Sequence, residues 1–112
     1  MAYNGNQKFK IARMPQWQDG CDISLSISGT KTMDDKSGWI QRISNNSSSA
    51  QDVLLPEGKD GMCVIVSNAG ADNLIVKEPT GVTTIGTVAS GKGHMFVFSA
   101  EQNSWYNLFL GN

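Results

Sequence analysis

The chain is poor in charge. Lys, Arg, Asp and Glu make up 17% of its 112 residues, against about 25% in an ordinary globular domain. The net charge of −1 offers no basic excess of the kind that nucleic-acid binding requires, so no nucleic-acid partner is expected. Long hydrophobic runs are absent as well. No stretch approaches the ~20 apolar residues of a membrane-spanning helix, and the first ten residues lack the apolar centre of a secretory signal. Good helix formers never run far without Gly, Ser, Thr, Asn or Pro, so no significant helix is expected. With one histidine and two cysteines, Cys21 and Cys63, a multi-histidine or four-ligand zinc site cannot be assembled. The cysteines read as reduced thiols of a chain made in a reducing cytoplasm, or as one disulfide if the chain is exported.

In place of charge the chain carries Ser, Thr, Asn and Gly, 39 residues together. Its hydrophobic content is 39%, which with glycine is normal for a folded domain. This length supports one domain with one continuous core. The few charges are unevenly placed. Residues 1–18 hold Lys8, Lys10 and Arg13 and no acid, whereas all ten acids lie in residues 19–112. That division predicts a basic N-terminal arm with a first strand over 1–18, and a β-domain over 19–112.

Hydrophobic periodicity gives strands almost everywhere. Residues 22–28 alternate strictly, with Ile23, Leu25 and Ile27 against three serines, the pattern of a strand with one buried face. Residues 62–67 (MCVIVS) are nearly all apolar, as expected of a central strand buried on both faces. Further strands are predicted over 8–14, 38–44, 51–55, 73–77, 82–88, 94–99 and 104–110, separated by turn residues. Eight or nine strands spaced by about ten residues predict an all-β antiparallel sandwich, barrel or jelly roll. Parallel βαβ units are excluded by the missing crossover helices, and no repeat of 20–50 residues aligns.

Motifs that could carry chemistry are weak. His94 reads as a half-exposed histidine at a strand start. Asp34-Asp35 lies in the polar stretch 30–37 and lacks the alternating acid pattern of a calcium loop. Gly91-Lys92-Gly93 has neither the upstream glycine nor the following Ser/Thr and helix of a phosphate loop, and reads as a hairpin turn. Asn46-Ser47-Ser48 fits a glycosylation acceptor only in an exported chain. No catalytic residue, metal ligand or cofactor is expected. Trp39 and Trp105 read as packing residues. Trp17 differs, because it follows Pro15 between two glutamines, outside any clear strand.

The segment 51–112 has a cadence that can be written v-L-P-x-G … v-x-V-x-N-A-G … N-L-x-V … T-I … A-x-G … F … W. It is carried here by Leu55-Pro56-Glu57-Gly58, Asn68-Ala69-Gly70, Asn73-Leu74, Ala89-Ser90-Gly91 and Trp105. It resembles the jelly-roll head decoration proteins, also called cement or staple proteins, of tailed bacteriophages. The resemblance implies a virion structural protein on the capsid exterior. It also implies the major capsid protein as partner, a homo-dimer or homo-trimer, synthesis in the host cytoplasm and no enzymatic activity. Protein interfaces favour aromatics, Met and Arg and exclude other charges from their centres. On that ground Tyr3, Phe9, Arg13, Met14 and Trp17 are the expected capsid or oligomer contacts. The alternative is a carbohydrate-binding or receptor-binding β-sandwich module of a phage fibre or tail, with Trp17 as its aromatic contact.

Overall fold

The computed structural model of the protein describes residues 21–34 and 36–109. These form nine strands and no helix: β1 (Cys21–Ile27), β2 (Lys31–Thr32), β3 (Ile40–Asn45), β4 (Gln51–Leu54), β5 (Cys63–Asn68), β6 (Leu74–Lys77), β7 (Thr84–Val88), β8 (Gly93–Ser99) and β9 (Ser104–Phe109). They build two mixed sheets. A five-stranded sheet has the order β1-β3-β5-β8-β9, and a four-stranded sheet the order β2-β4-β6-β7. The all-β expectation stands. The predicted strand over 8–14 lies outside the described residues.

The pairing corrects the antiparallel expectation. β1 with β3, β3 with β5, β2 with β4 and β4 with β6 are all parallel. Only β5 with β8, β8 with β9 and β6 with β7 are antiparallel. Parallel neighbours need a long crossover, most often a helix. Here a strand of the opposite sheet serves as that crossover. The first six strands alternate between the two sheets, so the chain winds around a shared core, and β7, β8 and β9 then return antiparallel. The absence of helix-forming sequence excluded βαβ units but left parallel pairing open.

The winding also uncovers a repeat. In β4 and β6, Gln51 faces Leu74 and Val53 faces Val76, an offset of 23 residues. At the same offset Ser44-Asn45 matches Ser67-Asn68, Pro56 matches Pro79 and Gly58 matches Gly81. The expectation that no such repeat exists is therefore corrected. Few identities survive because the two turns of the winding share only the residues that the corners demand.

Those corners are built by Asn45 and Asn68, both buried at the ends of their strands. The Asn45 Oδ1 accepts from the Ser47 N–H at 3.2 Å, and its Nδ2 donates to the Ser49 carbonyl at 3.0 Å and the Asn73 carbonyl at 2.8 Å. Asn68 repeats the pattern. Its Oδ1 accepts from the Gly70 N–H at 2.9 Å, and its Nδ2 donates to the carbonyls of Asp72 at 2.8 Å and Val88 at 3.0 Å. Each side chain ties its own corner and the next stretch of chain together. Buried main-chain groups that turn away from a sheet need such partners. Gly70 sits where the second corner stacks on the first, and a Cβ there would collide with the backbone of Asn45.

The core lies between the sheets. Ile43, Val64, Val66, Phe96 and Trp105 enter it from the larger sheet, and Val53, Leu74, Val76 and Val88 from the smaller; Met33, Leu55 and Met62 close it from the connecting segments. Trp105 is wedged by ring packing and one hydrogen bond. Its ring meets Phe98 edge-on at 5.6 Å, and its Nε1 donates to the Pro56 carbonyl at 3.2 Å. Gly58 leaves room for that pair, since a Cβ at this position would overlap the Phe98 ring.

Candidate binding surfaces

The motif residues are absorbed by the fold. His94 is buried rather than half-exposed. Its Nδ1 lies 3.0 Å from the Asn107 Oδ1, and its ring stacks over Phe96 at 6.0 Å. Position 94 pairs with Val66 of central β5, so the ring points into the sandwich and not off the strand end. The Asp34 carboxylate closes a local turn, accepting from the Lys36 N–H at 2.9 Å and the Ser37 hydroxyl at 3.3 Å; Asp35 lies outside the described residues. Gly91-Lys92-Gly93 forms a tight turn, with Gly91 at φ 78° and the Lys92 N–H donating to the Ala89 carbonyl. The Asn46 Oδ1 accepts from the Ala71 N–H at 2.9 Å and so braces two corners.

Cys63 is a buried free thiol. Burial disfavours its thiolate and pushes its pKa above the ordinary 9.0. A thiol in that state is a poor nucleophile. Among the described residues no three of His, Cys, Asp and Glu come close enough together to hold a metal ion, and no helix is long and apolar enough to cross a membrane.

Two depressions lie at one end of the sandwich. The larger, about 460 Å³, has Met33, Leu55, Pro56 and Pro79 along it, with Asp34, Glu57 and Lys59 exposed at its margin. The smaller, about 240 Å³, brings Glu57, Glu78 and Asn103 near the edges of Phe98 and Trp105. Both are open troughs. Trp105 is only 5% exposed, so it presents no flat ring on which a sugar could stack.

The outer faces of the two sheets are the larger surfaces, and they differ. On the smaller sheet the outward positions are Asp52, Ile75 and Thr87 in one row and Thr32, Leu54, Lys77 and Thr84 in the next, and Lys77 Nζ bridges Asp52 Oδ2 at 3.1 Å. On the larger sheet Ile40 lies beside Ile65, Ile65 beside Met95 and Met95 beside Leu108. A second row places Cys63 beside Val97 and Val97 beside Tyr106. Tyr106 is 45% and Leu108 48% exposed. Met95, Val97, Tyr106 and Leu108 put apolar side chains outward between the inward Phe96, Phe98 and Trp105, and that signal could have marked this face in the sequence. The five expected contacts, Tyr3, Phe9, Arg13, Met14 and Trp17, lie outside the described residues.

The class defined by these features is an all-β protein of two mixed sheets. Scans against protein-family models, curated proteins and solved structures return no match to this chain.

Proposed function

We propose that the chain is a virion structural protein, a head decoration protein that binds the outside of a capsid lattice and stabilises it. The reading begins from the phage-like cadence of residues 51–112. One structural observation supports it most: Ile40, Ile65, Met95, Leu108 and Val97, Tyr106 form adjoining uncharged surface rows, with Arg42 exposed in the next row beside Ser67, and aromatics, Met and Arg are the residues that protein-binding surfaces favour. The jelly-roll part of the resemblance is the finer proposal. The two-layer build agrees with it, whereas the parallel winding of the first six strands departs from it.

In the proposed mechanism the β-domain is a rigid block and the basic arm, residues 1–18, reaches across a joint between shell subunits. Tyr3, Phe9, Arg13, Met14 and Trp17 supply the arm's contacts. Holding two subunits at once raises the effective concentration of the second contact, and binding only the assembled shell stabilises it by mass action. The test is to add the purified protein to undecorated shells and follow their thermal disruption. Saturable binding with a rise in the disruption temperature is expected, and absence of binding at low salt sinks the proposal. Deleting residues 1–18 is expected to leave a folded domain that attaches weakly; undiminished attachment would remove the arm from the mechanism. The carbohydrate-binding alternative is met by a glycan array, where saturable binding lost in Trp17→Ala would replace the decoration reading.

A further inference from the structure

Among the described residues the two sheets have four edge strands, and an open edge invites another strand unless something keeps it away. Three of the four carry such a device. β1 holds an extra residue where pairing steps from Asp22–Gln41 to Leu25–Ile43. β2 is two residues long and begins with Lys31. β7 holds an extra residue, Ile85, where pairing steps from Val76–Gly86 to Lys77–Thr84. Bulges, brevity and edge lysines are the usual protections.

Among the described residues β9 has none of them. Its register with β8 is unbroken from Ser99–Ser104 to His94–Phe109. Its sequence, SWYNLF, contains no charge, proline or glycine. The apolar outer rows of the larger sheet run across β3, β5 and β8 and stop at this strand, where Tyr106 and Leu108 are the most exposed members.

The size of the surface decides how it can be used. Four strands at about 4.8 Å spacing make a face ~19 Å wide, and two side-chain rows make it roughly 250 Å² in area. A stable flat dimer hides about 800 Å² per partner, so stacking this face on another does not suffice. Edge pairing adds main-chain hydrogen bonds to the apolar contact and makes two such faces continuous. A strand that pairs antiparallel with its own copy satisfies two-fold symmetry, so one surface serves both partners. With no charge on either side, no like-charge repulsion opposes it.

From this we infer that β9 is a self-association edge. Two copies of the chain join antiparallel through Ser104–Phe109, giving a continuous ten-stranded sheet with Tyr106 and Leu108 of both copies gathered on its outer face. The inference rests on the strand edge and stands apart from shell binding.

The experiment is sedimentation velocity of the full chain from micromolar to millimolar concentration, with three variants. The parent is expected to pass from monomer to dimer. Leu108→Lys and Tyr106→Lys, each outward-facing, are expected to weaken the dimer about tenfold or more, a tenfold change being ~1.4 kcal/mol. Thr32→Lys, at an exposed position on β2, which lies at the opposite edge of the smaller sheet from β7, is expected to dimerise like the parent. Urea unfolding of each variant confirms that the fold is kept. A parent that stays monomeric throughout overturns the inference, as does a dimer that both edge variants leave intact. A monomeric chain that still coats shells overturns this inference alone and leaves the decoration proposal standing.

Discussion

The wound part of the molecule, β1 to β6, and the antiparallel part, β7 to β9, are held by different means. In the wound part the chain changes sheets at every corner, and buried amides do the fastening: Asn45 and Asn68 each satisfy groups on two separate stretches of chain. In the antiparallel part only the step from β7 to β8 changes sheets, a corner that Asn68 also holds through the Val88 carbonyl, and elsewhere rings carry the weight: Phe96, Phe98 and Trp105 fill the space beneath β8 and β9. Winding between layers strands main-chain groups inside the protein and so requires polar side chains at fixed places. Hairpins return within one sheet and leave the interior to apolar packing.

That contrast can be broken at either end. The largest effect is expected from Phe96→Ala, which empties a fully buried ring site and should cost about 3–5 kcal/mol in urea unfolding. Asn68→Ala comes next. It leaves the Asp72 and Val88 carbonyls and the Gly70 N–H without their partner, and about 3 kcal/mol is expected at roughly 1–3 kcal/mol per stranded buried group. A loss below ~1 kcal/mol in the same assay would mean that corner amides are incidental to the winding. Gly70→Ala should cost about 1–3 kcal/mol by overpacking, and combining it with Asn45→Ala should give less than the sum, because both act on one corner.

Smaller effects sharpen the picture further. The folded Cys63 thiol holds its proton above the ordinary 9.0. Above that pH the unfolded chain ionises first, and the folded state loses stability as pH rises toward the raised folded value. Cys63→Ala is therefore expected to flatten the alkaline fall of Tm while leaving its shape below pH 9 unchanged. Lys77→Ala, which removes a partly exposed ion pair with Asp52, should shift stability by less than ~1 kcal/mol.

Most strands were legible in the sequence because each carries its burial in its own residues. The alternation at 22–28 and the unbroken apolar run at 62–67 fall on β1 and β5 nearly residue for residue. β2 was not legible. It is two residues of a polar stretch and owes its place to pairing with Val53 and Leu54. Strand direction was hidden for a related reason, since alternation shows which side faces inward but not which neighbour lies alongside. Asn45 and Asn68 looked like ordinary turn residues, and only their shared contacts across the winding reveal them as equivalents. Of the candidate sites, the apolar outer row could be read from residues 95–98 and 105–108, where Met95, Val97, Tyr106 and Leu108 alternate with the buried or part-buried Phe96, Phe98 and Trp105. The arm contacts at 3, 9, 13, 14 and 17 lie outside the described residues, and their part in binding is a matter for the deletion experiment.

The passage of the chain from one layer to the other has a consequence for how the molecule comes apart. Because each crossing segment of one layer is itself a strand of the other, neither layer can peel away while its counterpart stays whole. Amide protons of Ile43 in one layer and Val53 in the other should therefore become exchangeable in a single shared event, so that the two layers behave as one cooperative unit.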